Sequence, residues 1–122
     1  MSSSPGFGTQ YDPCNYYHAS VEPYPAAYDE IQPHIRYVHL KGGCRYDARN
    51  SSAHKGSLMR ESDRDHIGYV PLPEAAFPIE AIVRRLRRDG YSGFVTLEPH
   101  VPVSALLEFY AIEIPYLKAL LA

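Results

Sequence analysis

Three residues in this sequence are suited to hold one divalent cation: Asp12, His39 and Glu98. Each sits at or next to the end of a short apolar segment, and each such segment reads as a β-strand. A mixed carboxylate and imidazole set suits Mn, Mg, Zn, Co or Fe rather than a thiolate-bound metal. Each residue alone has a plainer explanation. An Asp before Pro commonly serves a turn, a His inside an apolar strand is commonly a hydrogen-bonded core residue, and a Glu at a strand end is commonly solvated. The case for a site rests on all three falling at the same end of successive strands.

The elements that must position them follow from pattern and punctuation. Eleven Pro and eight Gly divide the chain into short pieces. The first strand is expected over residues 7–12, ended by Pro13. A Pro-rich stretch then settles into a helix, with Pro25 in its first turn, Ala27, Tyr28 and Ile31 as its apolar edge, and Pro33 as its stop. Ile35 to Leu40 is expected as a strand buried on both faces, broken by Gly42-Gly43. Residues 43–70 are polar and without period, and read as a long loop, of a length that is usually functional or disordered. Ile79, Ile82, Val83 and Leu86 fall on one helical face. Arg84, Arg85, Arg87 and Arg88 crowd that helix's last turns, where cations suit its dipole, and Gly90 caps it. This basic run reads as a solvated helix face. Residues 94–97 form the third strand. The last helix carries Leu106, Leu107, Tyr110, Ile114, Leu117 and Leu121, with a kink expected at Pro115.

Strands alternating with helices imply an α/β fold of three consecutive parallel strand–helix units. Ligands collect at the C-terminal ends of parallel strands, and neighbouring strands lie about 4.8 Å apart. Asp12, His39 and Glu98 can therefore converge on one ion.

The bulk composition narrows the class. A chain of 122 residues, 45% apolar and 21% charged, suits one packed domain. Residues 1–6 read as a disordered lead and 7–122 as the domain. The net charge of −2 offers no reason to expect a nucleic acid or an anionic membrane as partner. No apolar run reaches the roughly 18–20 residues that span a bilayer, and the Ser-rich start lacks the pattern of a signal peptide. A cytoplasmic protein is the expectation. Cys14 and Cys44 form no Cys-x-x-Cys pair and are expected as free thiols.

Three motifs in order carry a resemblance. Tyr11-Asp12-Pro13-Cys14-Asn15 resembles the Asp-Pro-x-Asn signature of the sugar phosphate isomerase/epimerase family, the xylose-isomerase-like TIM barrels. Tyr37-Val38-His39-Leu40-Lys41 resembles that family's Val-His-x-Lys-Asp strand. The segment from Gly90 to His100 resembles its last strand, Gly-Tyr-x-Gly-x-x-x-x-Glu. The resemblance runs from about residue 7 to the end and implies strands six to eight of an eight-stranded barrel.

That resemblance implies one divalent metal (Mn, Mg, Zn or Co) held by Asp12, His39 and Glu98 together with a further Glu. Glu98 is implied as one of two carboxylates that move a proton next to a metal-bound carbonyl, the metal polarising the substrate oxygens. Asn15, Lys41, Arg45 and His100 are implied as substrate-binding residues, for a small sugar or sugar-derived substrate. Lys41 and Arg45 read equally well as solvated loop charges. The family's Asp after His-x-Lys is Gly42 here, its Gly-x-Gly gives way to Leu72-Pro73-Glu74, and the first metal-binding Glu and strands one to five have no counterpart. The chain is therefore expected to be inactive alone, and to form a homo-oligomer or to join a complementing half-barrel chain. Other readings are a non-catalytic assembly subunit, a polyol lyase or dehydratase, and a zinc phosphodiesterase of the AP endonuclease branch. The last finds a faint echo in Asp63, Asp65 and His66.

Overall fold

The structure, a computed structural model, describes residues 6–45 and 67–122. Strand β1 is Thr9–Tyr11, and it hands directly to helix α1, Pro13–His18. Asp12 makes that hand-over possible. Its backbone is extended, its side chain accepts from the Asn15 N–H, and Pro13 fills the first helical position, where no N–H is needed. Helical turns at Pro23–Ala27 and Gln32–His34 flank α2, Tyr28–Ile31. The expected helix thus lies in place as α2, but Pro33 does not stop it outright: a tighter turn carries through Pro33 to His34 before the chain becomes extended at Ile35.

Strand β2 is Ile35–Leu40, as the pattern predicts. It is not buried on both faces: Ile35, Val38 and Leu40 are buried, but Arg36 and Tyr37 are exposed. The expected loop over 43–70 also needs correction at its two ends. Strands β3, Gly42–Arg45, and β4, Ile67–Val70, pair antiparallel in a separate two-stranded sheet, with Gly43 opposite Tyr69 and Cys44 opposite Gly68. Gly42 is required here. A Cβ on it would collide with the carbonyl oxygen of Val70 and crowd that of Pro71. This explains the departure from the family pattern: the hairpin leaves no room for an Asp side chain.

Helix α3, Ile79–Arg88, buries Ile79, Ile82, Val83 and Leu86, and Gly90 follows with φ +78°. That left-handed conformation lets Tyr91 N–H reach back to the Leu86 carbonyl at 2.9 Å. Strand β5 is Val95–Leu97, and α4, Val103–Leu121, continues through Pro115. The main sheet has the order β1-β2-β5, all parallel. Its core joins Tyr11, Val38 and Leu40 to Ile82, Leu86 and Phe109, all at most 4% exposed. Each such burial is worth roughly 1.5–3 kcal/mol.

Beneath the core, α2 is tied to α3. The Tyr28 hydroxyl donates to Asp89 Oδ2 at 2.8 Å, and Arg85 pairs with both Asp89 and Asp29. The hydrogen bond from Tyr28, against a smaller opposing effect of burial, and the neighbouring Arg85 hold the Asp89 carboxyl below its usual range. Both cysteines are buried free thiols, as expected, and burial pushes Cys14 up to about 12.

Candidate metal and substrate site

Parallel pairing puts the strand ends on one side of the sheet, and the register aligns them. Tyr11 lies opposite Val38, and His39 opposite Thr96. Asp12 leaves β1, His39 lies one residue before the end of β2, and Glu98 leaves β5 with its N–H bonded to the Leu40 carbonyl at 2.9 Å. One ligand atom from each of the three lies within 4.8 Å of the others. Two ligands of one ion, each bonded at about 2.0–2.6 Å, are at most about 4–5 Å apart, so the group has the dimensions of one cation site.

Its electrostatics are specific. Lys41, the residue after β2, is 2% exposed, and its Nζ lies 2.5 Å from Asp12 Oδ2 and 3.5 Å from Glu98 Oε1. His39 Nδ1 lies 2.6 Å from Glu98 Oε2, and His100 Nε2 lies 2.8 Å from Glu98 Oε1. Partial burial opposes ionisation of Glu98, but the His100 hydrogen bond and the charge of Lys41 outweigh it and hold the carboxyl below its ordinary range. Two carboxylates and one ammonium leave a net charge of −1 before the two imidazoles are counted. Hard oxygen and nitrogen donors with a residual negative charge fit a divalent metal. Such an ion competes with Lys41 for the same oxygens.

A groove of about 360 Å³ opens beside this cluster, lined by Asn15, His18, Ala19, Tyr69 and His100. Tyr69 hydroxyl and His18 Nε2 are 3.2 Å apart, and the Tyr69 ring lies 5.1 Å from that of His100. Asn15 and His100 therefore share a groove that adjoins Glu98. Arg45 is exposed at the end of β3 and lines a different, smaller groove with Tyr17 and Glu22. Asp63, Asp65 and His66 lie outside the described residues.

The sequence pattern did not reveal His18 or Tyr69. His18 follows Asn15 at helical spacing on α1, so recognising that helix would have placed both on one face. Tyr69 sits in Ile67-Gly68-Tyr69-Val70, whose apolar, β-prone character is overshadowed by its polar surroundings.

The fold and the site define a class: a parallel α/β unit with metal-competent side chains at the C-terminal strand ends. The profile described as "Xylose isomerase-like TIM barrel" matches residues 1–119, and the chain belongs to that family. No curated protein matches it. Among solved structures it is similar to the xylose isomerase domain protein from Planctomyces limnophilus, with a TM-score of 0.70 at 20% identity. That likeness covers 97% of this chain and 39% of the other, so the chain spans about two fifths of its structural neighbour. Among the described residues no helix is long and apolar enough to cross a membrane.

Proposed function

We propose that this chain supplies the last three strand–helix units, strands six to eight, of a divalent-metal-dependent sugar isomerase or epimerase. The observation that carries this reading is the convergence of Asp12, His39 and Glu98 ligand atoms within 4.8 Å. Family membership supports a small sugar-like substrate.

In this reading Asp12, His39 and Glu98 hold the metal. When bound, it would polarise a substrate carbonyl oxygen and so acidify the carbon next to that carbonyl. The chain's own residues do the rest. Glu98, kept ionised by His100 and Lys41, accepts the proton from that carbon and returns it. A carboxylate with a lowered pKa is a weak base, so it takes a proton only from a carbon already acidified. Lys41 places a positive charge next to the oxygen where negative charge develops. Asn15 and His100 offer hydrogen-bonding groups to sugar hydroxyls in the groove, whereas Arg45 lines a different groove and has no role in this reading. No second proton-transfer carboxylate joins Glu98 among the described residues, so in this reading residues 1–122 by themselves turn over no sugar.

Metal titration by calorimetry, with Mn, Co and Zn on the chain and on Glu98→Gln, tests the reading. One ion per chain is expected, with binding weakened on the order of 100-fold or more in the variant, beyond the 10–100-fold typical of residues that only support a ligand. Equal binding by the two would end the proposal. Three tightly bound zinc ions would favour the phosphodiesterase branch instead.

A further inference from the structure

Two hydroxyl side chains, Tyr37 and Thr96, stand beside the metal-competent residues on the same face of the sheet. Side chains alternate along a strand, so Tyr37 shares a face of β2 with His39, and Thr96 of β5 shares a face with Glu98, which follows that strand. The register sets Thr96 opposite His39. Tyr37 therefore reaches Thr96 on the diagonal, hydroxyl to Oγ1 at 2.7 Å, with either oxygen able to donate. His39 reaches Glu98 on the same diagonal, Nδ1 to Oε2 at 2.6 Å. The two rungs are joined along β2, because the Tyr37 ring stands edge-on to the His39 ring, centroids 4.9 Å apart at 65°, a packing that π-rings favour.

An imidazole that binds a cation needs its ring plane fixed. Metal-binding histidines usually secure it by donating the other ring N–H to a carboxylate, a carbonyl or water. Among the described residues the hydrogen-bonding contact of His39 is with Glu98, and Glu98 is itself one of the three residues proposed to hold the ion. A partner drawn to the same ion is no independent support. The Tyr37 ring is such a support, and it is steady only when its far end is held. Thr96 holds it from the neighbouring strand, with a β-branched side chain that is stiff at χ1. Tyr37 is 37% exposed, so it fills little of the core, and shortening it leaves little cavity.

We infer that Tyr37, pinned by Thr96, is a positioning residue that sets the ring plane of His39 for the cation. Its effect on metal binding rests on the proposed ligand roles of Asp12, His39 and Glu98; its effect on the ring rests on the contacts alone. The ring of Tyr37 does the orienting, and the hydroxyl acts through it. Tyr37 and Thr96 therefore work as one unit, and losing either end of their hydrogen bond has the same result.

Calorimetric titration with Mn and Co tests this on the parent chain, Tyr37→Leu, Tyr37→Phe, Thr96→Val and the double variant Tyr37→Phe/Thr96→Val. Tyr37→Leu removes ring and hydroxyl and should weaken binding about 10–100-fold, the range for residues that support a ligand. Tyr37→Phe and Thr96→Val should each weaken it less, by equal factors, and the double variant should bind no more weakly than either. Melting temperatures of the metal-free variants should match the parent. Equal metal binding by parent and Tyr37→Leu overturns the inference, and so do additive losses in the double variant. Proton NMR of the metal-free chain supplies a second readout. Tyr37→Leu and Thr96→Val should each shift the His39 ring-proton resonances, because the tyrosine ring current acts across 4.9 Å. Resonances unmoved by both variants overturn the inference whether or not metal binds. A parent chain that binds no metal refutes the metal reading instead, and the resonances then decide whether Tyr37 orients His39.

Discussion

Lys41 and Asp12 form a buried ion pair, Nζ to Oδ2 at 2.5 Å, with side chains 2% and 4% exposed. Removing one partner of such a pair leaves an uncompensated buried charge. Lys41→Met should therefore destabilise the metal-free chain by about 3–5 kcal/mol. Added Mn or Zn should recover part of that loss, because the ion replaces the missing positive charge. Thermal denaturation with and without metal measures both effects. A variant as stable as the parent, or one indifferent to metal, contradicts this view of the cluster.

Glu113 of α4 is fully buried, and its Oε2 accepts the Leu72 N–H at 3.1 Å while Oε1 has no partner among the described residues. Burial pushes its carboxyl up to about 7. The folded state therefore binds this proton more tightly than the unfolded state does. Its contribution is most favourable below the ordinary value near 4.5 and is lost as pH rises to about 7. Glu113→Gln should remove this component. The stability gap in favour of the variant should grow across that window to the order of 3 kcal/mol. Denaturant titrations at pH 4.5 and 8 check it, and parallel curves for the two proteins would refute it.

Asp89 works in the opposite sense. Its lowered pKa gives stability present above the unfolded value and lost as pH falls through the folded one. Tyr28→Phe removes the hydroxyl that donates to it. The variant should be less stable at neutral pH, and its deficit should shrink in acid. A deficit independent of pH would assign the loss to packing alone.

Gly42→Asp restores the residue type that the resembling motif carries, yet the Val70 carbonyl occupies the space of its Cβ. Overpacking against backbone costs about 1–3 kcal/mol, occasionally more. The substitution should destabilise the chain without strengthening metal binding. Calorimetry on the variant decides the point, and tighter metal binding would show that the hairpin yields.

The readable parts of this sequence were those with a period or a ligand-bearing strand end. Ile35–Leu40 and Ile79–Arg88 lie where their patterns put them, and Asp12, His39 and Glu98 meet as their strand ends required. Helix α1 was hidden because six residues hold too few turns to show a period, although Asp12-Pro13 is a clear cap. The β3–β4 hairpin was hidden because three of its four paired positions include Gly42, Gly43 or Gly68, whose lack of side chain erases alternation. With α1 and β4 went His18 and Tyr69, so two of the five residues lining the groove beside Glu98 had no signal in composition or spacing.

Asp12 serves two masters with separate oxygens: Oδ1 receives the Asn15 N–H at 3.2 Å, and Oδ2 faces Lys41. Only the second oxygen is at liberty to swing toward an ion without unfastening the first turn of α1. The same turn carries Asn15, and His18 follows at its end, so a carboxylate that changes partners tugs on one wall of the groove. In the proposed reading, the ion site and the helix that lines the groove would meet in this side chain, and a longer acid at position 12 would misplace both oxygens even while keeping the charge.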